Sequence, residues 1–202
     1  MIKKFSTIGI CFLLMAATVY AQNSTDEMLK KLQDKFNSIE NISADFVQTE
    51  NGKITLSGRF FYAKDNKMRI EMKNLIIVTD GKTSWSYNKR MNKVIISSYN
   101  PNDPSYFSPK QIIEEYPSKC NISTEKDNGS DVLVLTPDKP GVNFKSAKIW
   151  ISSENLILKI LLAGQNDAVV QVNFSNYKVN SKLGKSTFIF TPPKGSKVID
   201  LR

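Results

Sequence analysis

The chain has 202 residues, a formal net charge of +9, two cysteines and no histidine. The missing histidine removes the commonest general base and zinc ligand, and neither a glycine-rich phosphate loop nor a G-x-S-x-G nucleophile turn occurs. The lysines are spread over segments that read as strands and turns, without the aromatic-interleaved basic stripe that nucleic acid requires. They read as a solvated surface, with attraction to anionic lipid or an acidic partner as the sharper alternative.

Residues 1–21 read as a cleaved secretory signal peptide. Lys3 and Lys4 give a charged start, the run from Ile8 to Val19 is apolar but short for a bilayer span, and Val19-Tyr20-Ala21 ends in a small residue. The mature chain then begins at Gln22, and 22–202 is long enough for one domain with a sizeable core. The alternative is an uncleaved anchor. Cys11 lies inside the apolar run, so cleavage leaves Cys120 without a disulfide partner. With no histidine to activate it, Cys120 reads as a small buried residue rather than a nucleophile.

An amphipathic helix opens the mature domain. Ser24 and Glu27 have capping-box spacing, and Leu29, Leu32, Phe36 and Ile39 form an apolar stripe opposite Lys30, Lys31, Asp34 and Lys35. The period then changes to two. Ile42, Ala44 and Phe46 alternate with polar neighbours, as do Ile54, Leu56, Gly58, Phe60 and Tyr62, and then Met68, Ile70 and Met72. Further strands follow at Leu75 to Val78, Thr83-Trp85-Tyr87, Val94-Ile96, Val132-Val134, Ile149-Ile151, Leu158 to Leu162 and Val170 to Phe174. Turn signals at Asp80-Gly81, Asn128-Gly129 and Asn166-Asp167 separate several of them. The count is about eleven strands, which predicts a mainly β, curled antiparallel sheet with few helices.

The segment from Pro101 to Pro117 interrupts this meander. Ser108, Pro109 and Gln111 predict the start of a short helix whose apolar face is Ile112 and Ile113. At the far end, Phe188 and Phe190 read as one face of a short closing strand, with Pro192 and Pro193 as its exit.

One sheet face is apolar over nearly every strand, yet few helices are available to cover it. A curved sheet under so slight a cover encloses a concave apolar space. That face carries adaptable residues: Phe46, Phe60, Tyr62, Met68, Met72 and Trp85. They either fill an ordinary core or receive an irregular apolar guest, and the residues alone leave both readings open. Asp45 with Glu50, and Glu114 with Glu115, lack the spacing of an acid–base pair and read as outer-face charges.

In order along the chain, Phe46-Val47-Gln48, Gly58-Arg59-Phe60, the segment Ile77-Val78-Thr79-Asp80-Gly81 running on to Trp85-Ser86-Tyr87-Asn88, Leu133 to Pro137, and the tail from Phe188 to Asp200 form a signature. Over essentially the whole mature length the chain resembles the LolA-like periplasmic lipoprotein carriers. That resemblance implies an unclosed, half-open antiparallel β-barrel of about eleven strands with an α-helical lid. It implies a non-enzymatic carrier, without cofactor or metal, that moves acylated lipoproteins from an inner-membrane lipoprotein-releasing transporter to an outer-membrane acceptor. The carrier would act as a periplasmic monomer and bind no nucleic acid.

On this reading the lipid-binding cavity is lined by Phe46, Phe60, Tyr62, Met68, Ile70 and Trp85, and the lid is built from Leu29, Leu32, Phe36, Ile112 and Ile113. In the family, an arginine followed by proline after the aromatic strand bonds lid backbone. Lys64 and Asp65 stand there in this chain, so Lys64 is the expected latch, donating to lid carbonyls without the planar fork of arginine. A lipid-sensing regulatory module and a general lipid carrier of the same fold are the alternatives. An exported hydrolase is opposed by the missing histidine and motifs.

Overall fold

A computed structural model describes the backbone of residues 9–100, 109–184 and 186–202, with side chains from Ser24 onward in those ranges. Helix α1 (Gly9–Ser38) leads into β1 (Asn41–Glu50), β2 (Lys53–Ala63), β3 (Lys67–Met72), β4 (Leu75–Asp80), β5 (Thr83–Asn88) and β6 (Lys93–Ser98). A π-helical turn (Gln111–Glu115) and a 3-10 turn (Pro117–Lys119) come next. The chain continues through β7 (Cys120–Asp127), β8 (Ser130–Pro137), β9 (Phe144–Ile151), β10 (Ile157–Gly164), β11 (Val169–Val179) and β12 (Lys197–Asp200). These form one unclosed twelve-stranded sheet in the order β12-β6-β5-β4-β3-β2-β1-β11-β10-β9-β8-β7. The mainly β, curled antiparallel expectation holds, with one strand more than the approximate count.

The strand not foreseen is β7 at Cys120–Asp127, and the closing strand of the tail forms later than expected. Phe188 and Phe190 are not on a strand; the chain turns there, and the strand forms beyond the prolines, where Lys197–Asp200 runs parallel to β6. Proline cannot donate to a ladder, so pairing starts only once Pro192 and Pro193 are passed. Phe190 instead packs on Tyr87, with ring centroids 5.8 Å apart.

α1 also starts elsewhere than expected. Its backbone runs through Ser24, so Ser24 and Glu27 are interior helical residues, and Glu27 pairs with Lys31 at 2.6 Å. The apolar run before Ser24 continues the helical path, which removes the break a cap would mark. The targeting segment at 1–21 falls outside the residues whose side chains are described. Among the described residues, no helix is long and apolar enough to cross a membrane. Ser108, the expected cap of the short helix, lies outside the described residues. The helix itself is a π turn, in which the Tyr116 N–H donates to the Gln111 carbonyl at 2.8 Å.

Curvature has a local cause at Gly58. A Cβ there would stand 2.1 Å from the Glu71 carbonyl oxygen, so β2 and β3 approach more closely than a side chain permits. Glycine inside a strand marks such a bend. The curl divides the concave face into two apolar regions. Leu32, Ile112, Ile113, Leu133, Leu135, Ile149 and Ile160 pack together under the helices. Ile39, Ile42, Phe60, Tyr62, Met68 and Ile70 pack on the other half, and Phe36 reaches both.

Candidate functional site

Register decides which side chains look inward. Phe60 pairs with Ala44 and Ile70, and Ile70 pairs with Ile77; Tyr62 pairs with Ile42 and Met68. Directly opposed residues share a sheet face, so these belong to the concave side. Phe46 joins them through its pairing with Phe174 on β11.

Between these strands is a cavity of about 240 Å³ lined by Phe46, Gln48, Leu56, Phe60, Ile70, Met72, Leu75, Ile77, Val172 and Phe174. Its wall is apolar except for Gln48. Ile54 and Leu56 continue the inner face of β2 toward its open end and are 73% and 43% exposed. A larger cleft of about 620 Å³ lies beside α1, but Glu27, Lys31, Glu125, Lys126 and Asp131 line it. Charged walls of that kind suit water rather than an apolar guest.

Of the expected cavity residues, Phe46, Phe60 and Ile70 line the cavity. Tyr62 and Met68 lie closer to the helices: Tyr62 stacks on Phe36 at 5.4 Å and Met68 is 3% exposed. Burial, followed by the charge of Glu114, pushes the Tyr62 phenol up to about 12. Trp85 is a correction. It pairs with Val78 and Ile96, and Val78 pairs with Arg69, which sets it on the outer face opposite Phe60 and Tyr62. The C-terminal segment runs over that face, where Arg69 Nη1 donates to the Thr187 carbonyl at 3.4 Å. An apolar outer row can therefore be buried there.

Met72, Leu75, Ile77, Val172 and Phe174 were not assigned to the site from the sequence. Met72 follows Met68 and Ile70 at the same period of two, so parity alone points to it. Phe174 depends on β1 pairing with β11, a contact between the two ends of the domain.

The helical cover is fixed largely by apolar packing. Leu32, Ile112 and Ile113 are 2%, 8% and 4% exposed, and Leu29 and Phe36 pack against the same cluster. A hydrogen bond joins the two helical pieces: Gln33 Nε2 donates to the Ile113 carbonyl at 3.0 Å. Lys64 does not act as expected. Its Nζ donates to Glu40 Oε1 at 2.5 Å, and its backbone N–H donates to the Glu40 carbonyl. A carboxylate at the α1–β1 junction is a stronger acceptor for an ammonium than a lid carbonyl, so the β2–β3 turn is tied to the base of α1.

The acidic side chains and the thiol with perturbed titration have structural surroundings. Asp45 bonds to Arg59 Nε at 2.7 Å and to Asn176 Nδ2 at 2.8 Å, and these bonds hold its carboxyl below the usual range. Asp80 accepts the N–H groups of Lys82 and Thr83, as a turn residue does. Cys120 is buried, and that burial raises its thiol. No group of three or more potential metal ligands occurs among the described residues.

The family model described as outer membrane lipoprotein carrier protein LolA matches residues 37–191. The chain belongs to the LolA family. That is a carrier and binding family rather than a catalytic one. The chain is 28% identical over 204 residues to an uncharacterized protein of Methanocaldococcus jannaschii, covering 96% of this chain and 58% of that protein's length. It is 27% identical over 208 residues to an outer-membrane lipoprotein carrier protein of Neisseria meningitidis serogroup B, with 96% of each covered. A solved structure of an uncharacterized conserved protein from Thermus thermophilus shares the fold, with a TM-score of 0.60 at 14% identity over 88% of this chain and 99% of that one. Within the LolA family, then, this member has a half-open apolar trough with a helical cover at one side.

Proposed function

We propose that this protein is a periplasmic carrier that takes the acyl chains of lipoproteins into the apolar cavity and transfers them from the inner to the outer membrane. The observation that carries this reading is the cavity between β1–β4 and β11, apolar, partly filled and open beside Ile54 and Leu56. Membership of the LolA family and likeness to a named lipoprotein carrier over nearly its full length support it.

The physical need is large. Three acyl chains carry on the order of 40 methylenes, and at about 0.8 kcal/mol each their exposure costs roughly 30 kcal/mol. A carrier must enclose most of that surface and still release it, so apolar contact without specific polar grip is the suitable chemistry. A cavity of 240 Å³ is below the roughly 300–1,000 Å³ typical of sites for drug-sized ligands. Acyl chains need more room than that, and on this reading the packed cover of Leu32, Phe36, Ile112 and Ile113 moves aside as they enter. Residues 1–21 act as the export signal. An inner-membrane releasing transporter and an outer-membrane acceptor are the partners at the two ends.

Uptake of an environment-sensitive apolar dye tests this. The carrier reading expects the dye to be displaced by triacylated peptide and retained when the same peptide is deacylated. Displacement by neither, or equally by both, contradicts it.

A further inference from the structure

Three turns distant in sequence meet at the open end of the sheet. The β3–β4 turn carries Lys73, the β5–β6 turn carries Lys89, Arg90 and Lys93, and the segment entering β12 carries Lys194 and Lys197. Backbone bonds join them: the Lys89 N–H donates to the Asn74 carbonyl at 2.9 Å, and the Lys197 N–H to the Asn92 carbonyl at 2.9 Å. Asn92 Nδ2 also donates to the Gly195 carbonyl at 3.0 Å, which fixes hairpin and tail together.

Among the described residues none of these six cations has a carboxylate within 4.0 Å, and none of the three segments contains an acidic residue. Elsewhere at the same end Lys145 pairs with Asp167 at 2.5 Å, so an unbalanced corner is a local feature. Lys93 and Lys197 are direct register partners on neighbouring strands, an arrangement of like charges that costs stability. At the tip of the hairpin Met91 is 66% exposed, and the adjoining Met72 and Leu75 line the apolar cavity.

We propose that this corner docks the protein on an anionic phospholipid bilayer. The lysines and arginine meet headgroup phosphates, and Met91 enters the interface beside the cavity opening. Lys89 Nζ donates to the Met72 carbonyl at 3.2 Å, which sets its charge beside the cavity rim. An apolar tip ringed by cations without carboxylate partners suits a surface that is anionic outside and apolar beneath. Docking in this orientation would bring the mouth of the cavity to the membrane. The inference goes beyond the carrier reading, and its test needs no cargo.

The test is flotation of the cargo-free protein from Gln22 to Arg202, the form expected after cleavage, with vesicles of phosphatidylglycerol mixed with phosphatidylethanolamine, against vesicles of phosphatidylcholine alone. Binding to the anionic vesicles that weakens with added salt is expected. Lys89→Glu with Arg90→Glu should lower that binding about tenfold or more, and Met91→Ser should weaken it while keeping the salt dependence. Should the charge reversal disturb the fold by circular dichroism, Lys89→Gln with Arg90→Gln serves in its place. No flotation, equal flotation with phosphatidylcholine, or binding that survives the charge variants overturns the proposal. The last result would assign binding to another surface, and absence of flotation together with capture of an acidic protein would make the corner a protein-docking site.

Discussion

Gln33 on α1 reaches across to the carbonyl of Ile113, 80 residues later, and closes the cover with a hydrogen bond of 3.0 Å. Around it Leu32, Phe36, Ile112 and Ile113 pack by apolar contact, which is non-directional and can re-form against another apolar surface. Loss of the bond should therefore loosen the cover without dissolving it. Gln33→Leu is expected to favour the open form by about 1 kcal/mol, roughly a fivefold shift. Stopped-flow dye uptake should quicken correspondingly, and the midpoint of urea unfolding should fall by no more than that same loss of about 1 kcal/mol implies.

Curvature of the trough depends on Gly58. Any side chain there meets the Glu71 carbonyl at 2.1 Å, and a backbone atom cannot move aside without parting β2 from β3. Gly58→Ala should destabilise the protein by about 2 kcal/mol or more. Urea denaturation followed by circular dichroism measures this, and an unchanged midpoint would mean the strands can separate at no cost.

Cavity and outer face give opposite expectations for two large side chains. Met72 lines the cavity and is partly exposed, so Met72→Glu sets a carboxylate against an apolar guest while sparing the deepest core. Dye affinity should fall about tenfold or more. Trp85 is on the other face, and Trp85→Phe should leave dye affinity within about twofold of the parent by fluorescence titration. Equal losses in both would refute the face assignment.

The contrast between these residues shows what could be read from the chain. Periods of two located most of the strands but not β7, and placed the closing strand too early; parity grouped Phe60 with Tyr62 and Met68 with Ile70 on one face, as the register has them. Parity does not say which group faces inward. On β5 the aromatic row faces outward because a segment 100 residues later lies over it, and Ser84 and Thr79 are buried on the inner side. The cationic corner was hidden for the same reason. Lys73, Lys93 and Lys197 look scattered along the sequence and become neighbours only through the β3–β4 turn and the parallel pairing of β6 with β12. Lys64 was located in the right turn, but its partner Glu40 is set by how α1 enters β1, which local propensity does not encode.

Alkaline pH should weaken the fold through buried phenols. Burial, with Glu114 second, raises Tyr62 from 10.0 to about 12, and burial also raises Tyr177, whose hydroxyl donates to the Ile157 carbonyl. Between those pH values the folded chain keeps protons that the unfolded chain has released. Stability is then fully present below about pH 10 and falls as pH rises toward about 12. Tyr62→Phe should make the fall shallower, as urea midpoints across that range would show. A slope identical to the parent would mean Tyr62 ionises in the folded state as easily as in the unfolded one.

The central claim is that the trough holds acyl chains. Native mass spectrometry of the protein purified from its native host, with bound lipid extracted and identified, tests it most directly. The account predicts a bound acylated protein or peptide, or, from an empty preparation, a one-to-one complex after incubation with triacylated peptide that Met72→Glu weakens. Protein that stays empty after that incubation would mean the apolar face between β1, β4 and β11 is no more than a loosely filled core, and would contradict the account.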